Sequence, residues 1–458
     1  MAGIGFELYK ILQKGTLSSI VQAFFLGIII VAGPWILSVL TIYIIQRYAY
    51  MAIGDNPSLF TVSIVYVYAF SLFFTGGLHY VFSRYIADMI FIENYDDIPP
   101  ALLTAIILVM VVSIIPVVLF ILCNDFSFIN HTGVYIVSLT SLFIIINILW
   151  LLLVYISLLK VYYKIFFSYL TGTIASIVGV YYFGRLYGVA GALAGYTVGQ
   201  AIIVALLLAI SQTFYPVKKV TMSKSFLKSF KEHNRIFLMG CFFNMAIWSD
   251  KMLYWFFKGK NISNTLYYYC ITYDIPVFLA YLTMIPGLVY FLIVAETDFH
   301  KYFTDFIKNI LDDSWRYIQI KKNKMLLSLK NGIKGLIFFQ SILTIGLLLK
   351  IDTLLNISGY SQTVNINIFR ILLVAVFFHM LTLNLMLYLL YLELQSNAAT
   401  AACIYLLLNV VGTIVAIFYT NWLPGTSYLF ASLVASIYCG YHLYKKAPII
   451  DYIIFSRT

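Results

Sequence analysis

The sequence predicts an all-α integral membrane protein of about twelve transmembrane helices, grouped as two six-helix lobes. Three observations predict it. Hydrophobic residues make up 62% of the 458 and charged residues only 10%, where a soluble domain carries about 25% charged, so the apolar excess is too large for a soluble core. Apolar stretches of spanning length, about 20 residues each, recur about twelve times. The segments between them are too short to hold a soluble catalytic domain.

The first six spans are expected at about residues 20–45, 58–82, 100–123, 134–158, 161–183 and 187–211, making an N-terminal lobe over 1–211. A polar connector over 212–234 follows. The second six are expected at about 235–257, 267–295, 332–350, 366–393, 398–420 and 423–444, within a C-terminal lobe over 235–458. A division into two halves around a connector is typical of proteins that move a solute between related lobes. Within the first span Gly33-Pro34 is a candidate helix break, and within the eighth so are Pro276 and Pro286-Gly287, because proline removes a backbone donor and kinks a helix. Glycines 172, 179, 188, 191, 195 and 199 recur through the fifth and sixth spans, where small residues let backbones approach closely. Phe299, Tyr302, Phe303, Phe306, Ile307 and Ile310 alternate with Asp298, Lys301, Asp305 and Lys308 at helical spacing, so an amphipathic segment on the cytoplasmic surface is expected at about 298–330. It would serve as a dock for a cytosolic partner or as an anchor on anionic lipid.

Net charge is +11, and on a membrane protein the placement of Lys and Arg tells more than their sum. The connector carries Lys218, Lys219, Lys224, Lys228, Lys231 and Arg235, and the later long segment carries Lys301, Lys308, Arg316, Lys321, Lys322, Lys324, Lys330 and Lys334. Both lie on the side of Lys10, Lys14, Lys445, Lys446 and Arg457, so both termini are expected in the cytoplasm. The predominantly acidic loop with Asp88, Glu93, Asp96 and Asp97 falls on the same side and carries little weight in this rule. The N-terminal residues lack a small-residue cleavage site, so the first span is expected to be retained. The five cysteines lie in or beside apolar spans without paired spacing, which predicts packing residues.

No phosphate-cradling glycine loop and no His-Glu-x-x-His helix occurs. Asp96-Asp97 and Asp312-Asp313 have no surrounding segment large enough to fold around a nucleotide, and His379, near Asn384, is expected to make an interhelical hydrogen bond. The expectation is a chain that is not an enzyme, with no catalytic residue, metal, cofactor or nucleic-acid partner. Charges inside spans are costly and mark function by default. Asp250 and Lys251 fall in the seventh span and Asp274 in the eighth, and these three are the candidates for a translocation path. Lys251 and Asp274 lie at matching depth, which predicts a pair across the two spans, with Trp248 and Trp255 offering cation–π contacts. A structural ion pair that fixes helix register is the alternative. The run Tyr267-Tyr268-Tyr269 falls where an interfacial aromatic belt is expected.

The start from Met1 to Leu8 (with Gly3, Gly5, Phe6 and Glu7), Gly33-Pro34-Trp35, Ser249-Asp250-Lys251, Pro286-Gly287-Leu288 and the run Glu296-Thr297-Asp298-Phe299 together resemble the PelG family. These are the membrane transporters of Pel exopolysaccharide systems, a polysaccharide-transporter branch of the MATE-like MOP flippase superfamily. Tyr9 and Val294 depart from the family pattern, where basic residues are usual. The resemblance implies a MATE-like fold of two lobes in the bacterial cytoplasmic (inner) membrane. It implies export of a hexosamine-rich polymer made by a PelF-like glycosyltransferase, with PelD-like and PelE-like membrane subunits, for biofilm matrix. It supplies no catalytic residue. The alternatives are a lipid-linked oligosaccharide flippase, with Lys251 and Arg370 as the deep basic residues available for a diphosphate, or an ion-coupled multidrug exporter protonated at Asp250 or Asp274. A membrane-embedded transferase is disfavoured by the absence of a catalytic cluster.

Overall fold

The computed structural model describes residues 16, 18–19, 22, 24, 26–28, 33, 36–45, 57–159, 161–217, 221–262, 265–294, 298–310, 314–358, 364–419 and 422–455. Its elements in chain order are α1 (Ile36–Ile45), then α2 (Pro57–Phe91), α3 (Ile98–Leu122), α4 (Thr132–Leu158), α5 (Tyr162–Phe214), α6 (Lys224–Glu232), α7 (Asn234–Lys258), β1 (Lys260–Asn261) and β2 (Tyr268–Tyr269). There follow α8 (Ile271–Leu282), α9 (Ile285–Val294), α10 (His300–Asn309), α11 (Trp315–Ser358), α12 (Ile366–Tyr391), α13 (Gln395–Phe418), α14 (Thr426–Lys446) and α15 (Ile450–Phe455). Among the described residues, 9 helical segments are long and apolar enough to cross a bilayer.

The chain forms two compact units. One comprises Ala32–Trp248 with Gly259–Tyr269; the other comprises Ser249–Lys258 and Cys270–Thr458 with the described residues before Ala32. The boundary between these units falls inside α7, at Trp248 and Ser249.

In the first unit, the 53-residue run α5 is two helices. Its backbone leaves the helical region at Tyr187 (φ −131°, ψ 17°) and Gly188 (φ 58°, ψ −138°). Glycine is the residue that adopts that positive φ without strain. The halves fold back as an antiparallel hairpin with Gly179 against Gly195 and Gly172 against Gly199. A Cβ on Gly179 would stand 2.8 Å from the Gly195 carbonyl oxygen, so the helices touch backbone to backbone.

The same unit captures the residues between α7 and α8. β1 and β2 pair antiparallel, with Lys260 opposite Tyr269 and Asn261 opposite Tyr268. Tyr66 of α2 accepts from the Tyr268 amide at 2.8 Å, and Asn124 accepts from the Leu266 amide at 2.6 Å. Tyr267 is fully buried, with the rings of Tyr66 and Phe120 at 5.0 and 5.1 Å. The expected aromatic belt is thus corrected at Tyr267, which is a core residue. At the other end of the unit, Asp97 accepts hydroxyl hydrogen bonds from Tyr85, Ser223 (3.1 Å) and Ser225 (2.5 Å). Ser223 also caps α6 through the Phe226 amide, and Phe226 is fully buried against Phe82 and Tyr85. The connector is thereby docked by an acidic residue from the loop that the charge rule discounts.

In the second unit, α12, α13 and α14 pack side by side and bury Leu372, Leu373, Val376, Tyr405 and Ala435 completely. The amphipathic segment differs from expectation in two ways. Its apolar face is covered by protein: Phe299 and Phe306 are buried, and the Phe299 ring meets Tyr388 and Tyr391 at 5.0 and 5.5 Å. Its basic second half does not lie on the surface as a separate element but is continuous with the ninth span as the 44-residue α11. At 1.5 Å per residue that helix is about 66 Å long, roughly twice the hydrocarbon thickness, so its Trp315 end must lie beyond it.

Near that end, Asp451 of α15 accepts from Lys322 at 2.7 Å and Gln319 at 2.9 Å. Burial tends to raise the Asp451 carboxyl, but the hydrogen bonds from Lys322, Gln319 and the Tyr452 amide outweigh it and hold the group below its ordinary value. A carboxylate lowered in the folded state contributes stability in full above its unfolded value and loses it as pH falls through the folded one. Acid unfolding of the detergent-solubilised protein should therefore shift between wild type and Asp451→Asn below about pH 4, with wild type losing the greater part of its margin. Parallel stability curves would contradict this.

Candidate functional site

The site is built from the second half of α7 and from α8, α12, α13 and α14, all in the second unit. Adjacent residues on a helix diverge by about 100°, so Asp250 and Lys251 begin two neighbouring faces of α7, continued one turn later by Tyr254 and Trp255. The first face meets Tyr273 of α8. Tyr273 donates its hydroxyl to Asp250 Oδ2 at 2.5 Å, and its ring lies 4.5 Å from that of Tyr254. The second face meets Asp274. Trp255 Nε1 donates to Asp274 Oδ1 at 2.8 Å, while the Cys270 amide donates to Oδ2 at 3.0 Å.

Lys251 Nζ lies 3.2 Å from Asp250 Oδ1, and its positive charge also acts on Asp274, so the expected partner is joined by a second carboxylate. The lysine stem reaches back to the neighbouring carboxylate, and Asp274 sits among the donors at the start of α8. Asp250 is 0% exposed and Lys251 5%. This buried ion pair lies wholly within the C-terminal unit. Opposite charges that neutralise each other are what makes such burial tolerable.

Around the lysine stands a group of tyrosines that sequence reasoning missed. Nζ is 3.5 Å from the Tyr281 hydroxyl, 5.1 Å from the Tyr281 ring centroid and 5.2 Å from that of Tyr428. These are cation–π distances. The Tyr281 and Tyr428 hydroxyls share a hydrogen bond of 2.7 Å, and His379 Nδ1 lies 2.8 Å from the Tyr405 hydroxyl. The latter is the interhelical bond expected of His379. Asn409 Nδ2 donates to Ser249 Oγ at 3.3 Å. The result is a buried polar network of one ion pair, four tyrosine hydroxyls and an imidazole drawn from five helices, with the Asn409–Ser249 bond in the same unit.

The helix-break candidates divide. The helix runs through Pro276, which lies within α8. It breaks at Thr283-Met284, just before Pro286, which opens α9. Proline is favourable in a first turn, where its missing N–H would have no partner. The freed Thr283 carbonyl accepts from Gln340 at 3.0 Å. Gly287 admits Gln340 and Met380, since a Cβ there would stand 2.5 Å from Gln340 Oε1. Gly33 is a buried helical residue, and Pro34 lies outside the described residues. So do Gly3, Gly5, Phe6, Glu7 and Glu296. Asp298 is exposed beside the buried Phe299. Arg370, the other basic residue expected at depth, is 45% exposed at the side chain and pairs with Asp352 at 3.3 Å.

With the geometry in place, the comparisons decide the family. A family model described as PelG, putative exopolysaccharide exporter (EPS-E), matches residues 1–455. The chain belongs to the PelG family. No curated protein matches the chain. Among solved structures it is similar to a MATE transporter in the bent conformation (TM-score 0.61, 12% identity, covering 93% of this chain and 96% of that one). It is also similar to the eukaryotic MATE transporter AtDTX14 (TM-score 0.59, 16% identity, 94% and 99%). A third is an outward-facing multidrug resistance MATE family transporter of the MOP superfamily (TM-score 0.54, 11% identity, 94% and 97%). PelG membership and these likenesses establish an all-α MATE-like membrane protein of a transporter family.

Proposed function

We propose that this PelG-family chain exports a hexosamine-rich exopolysaccharide across the bacterial cytoplasmic membrane, receiving it from a cytoplasmic PelF-like glycosyltransferase, with PelD-like and PelE-like subunits, for biofilm matrix. The observation that carries the reading is the family match over residues 1–455, on a chain whose buried chemistry is a tyrosine-rich polar network. Asp250 and Lys251 are the residues of the path in this reading, with Tyr281 and Tyr428 beside them, and Asp274 shapes the start of α8. Hydroxyls and a neutralised ion pair can exchange hydrogen bonds with the hydroxyls of a sugar chain without presenting it with a net charge. Lobes 1–211 and 235–458 on either side of the connector 212–234, with both termini cytoplasmic, remain the arrangement under which the basic segments face the glycosyltransferase.

A lipid-linked oligosaccharide flippase needs deep, available cations for a diphosphate, and the geometry supplies few: Lys251 is committed to Asp250, and Arg370 is a surface residue. An ion-coupled multidrug exporter is favoured by one observation, the buried carboxylate of Asp250.

The test is genetic. In a strain retaining the glycosyltransferase, deletion of this gene should abolish extracellular polymer and restoration of the wild-type chain should return it. Undiminished extracellular polymer in the deletion strain would refute the export reading.

A further inference from the structure

A second feature of the C-terminal unit adjoins that network at Tyr273. An open pocket of about 510 Å³ sits where α7 and α13 end and α8 begins. Its base includes Tyr254 and Tyr273, both buried. Its rim includes Phe418, Tyr419 and Trp422, which are 55%, 81% and 57% exposed, together with Lys258. The volume is that of a small-molecule site. Together these side chains set flat apolar faces beside polar groups at one rim.

The chemistry of the lining selects among ligands. Ala416, Ile417 and Phe418, the last residues of α13, line the pocket, and the last turn of a helix is where carbonyls without intrahelical donors lie. Lys258 and Thr272 supply donors. An anion site would present donors only, and a site for a cation would present acceptors without an ammonium. Aromatic faces joined by mixed donors and acceptors fit a pyranose, whose axial C–H face stacks on a ring while its hydroxyls and acetamido group give and take hydrogen bonds at the edge. Lys258 opposes a free-amine sugar by like-charge repulsion.

We infer that this pocket is a glycan subsite that takes uncharged, N-acetylated hexosamine units, with Trp422 and Tyr419 as stacking residues and Lys258 discriminating against de-N-acetylated ones. The inference rests on the export reading and adds the substrate form and a binding place to it. By the placement of Lys and Arg, the pocket lies at the end of the unit away from the cytoplasm, where the polymer leaves.

The test is isothermal titration calorimetry of the full-length, detergent-solubilised protein with the N-acetylglucosamine tetramer and its fully de-N-acetylated counterpart. Saturable binding of the acetylated tetramer is expected, weakened at least about tenfold in Trp422→Ala/Tyr419→Ala. The free-amine tetramer should bind about tenfold more weakly than the acetylated one, and Lys258→Gln should narrow that gap. Unchanged elution volume and melting temperature certify the fold, and Tyr419→Ser alone replaces the double variant if the latter fails to express. Absence of saturable binding, binding indifferent to these substitutions, or preference for the free amine would each overturn the proposal. Wild type that exports polymer yet binds no tetramer refutes the subsite alone; a deletion strain that still exports polymer refutes the export reading itself.

Discussion

Replacing Lys251 by Met with Asp250 left in place should destabilise the protein by about 3–5 kcal/mol, because it strands a buried carboxylate whose cation is gone. Asp250 is completely buried and would keep only the Tyr273 hydroxyl among the partners described above. The double variant Asp250→Asn/Lys251→Met removes both charges and should recover most of that loss, since replacing a whole buried pair is often neutral. The two readings of the pair then separate. If the pair only fixes helix register, the well-folded double variant exports polymer like wild type. If it belongs to the path, the double variant is present in the membrane at wild-type amounts, melts within a few degrees of wild type, and exports at least about tenfold less polymer. The second outcome is the one expected. It is read by comparing secreted polymer per folded molecule, the latter from fluorescence-detected size exclusion.

The other large effect is steric. A Cβ on Gly195 would stand 2.6 Å from the Val180 amide nitrogen, a backbone atom that has nowhere to go. Gly195→Ala should therefore cost about 1–3 kcal/mol despite alanine's better helix propensity, and Gly195→Leu should leave little folded protein. Gly346, inside α11, is the control, because a Cβ there meets nothing within 4 Å. Gly346→Ala should be neutral or stabilising by up to about 1 kcal/mol. Melting temperatures in detergent rank the three variants, and a Gly195→Ala protein as stable as wild type would refute the backbone contact.

These cases mark what the sequence discloses and what it conceals. Glycines at helical spacing from 172 to 199 foretell a close helix pair because small residues have one main use inside a membrane. The amphipathic period of 298–311 foretells a helix with one apolar face, but periodicity cannot say what covers that face, and Tyr388 and Tyr391 of a distant helix do so. Charges inside apolar spans single out Asp250, Lys251 and Asp274, which fall in one region of the C-terminal unit. Their partners depend on rotamers and on tryptophan and backbone donors that depth along a helix does not encode. The tyrosines around Lys251 were concealed by abundance: among 38 tyrosines, nothing local distinguishes Tyr281 or Tyr428. Tyr267 was misread for the opposite reason, because a Tyr-Tyr-Tyr run at a span end has a ready interfacial explanation. Its burial arises from contacts with residues 66, 120, 126 and 135, far away in the chain.

Carriage of a sugar polymer through the bilayer is tested most directly in a closed vesicle. The direct measurement is reconstitution of the protein with a PelF-like glycosyltransferase in liposomes, with UDP-N-acetylhexosamine supplied on the glycosyltransferase's side and glycosidase added afterwards on that same side. Long polymer protected inside the vesicles, dependent on this chain and reduced in Asp250→Asn/Lys251→Met, is the predicted result. Polymer that remains wholly digestible in the presence of the folded wild-type chain would contradict it.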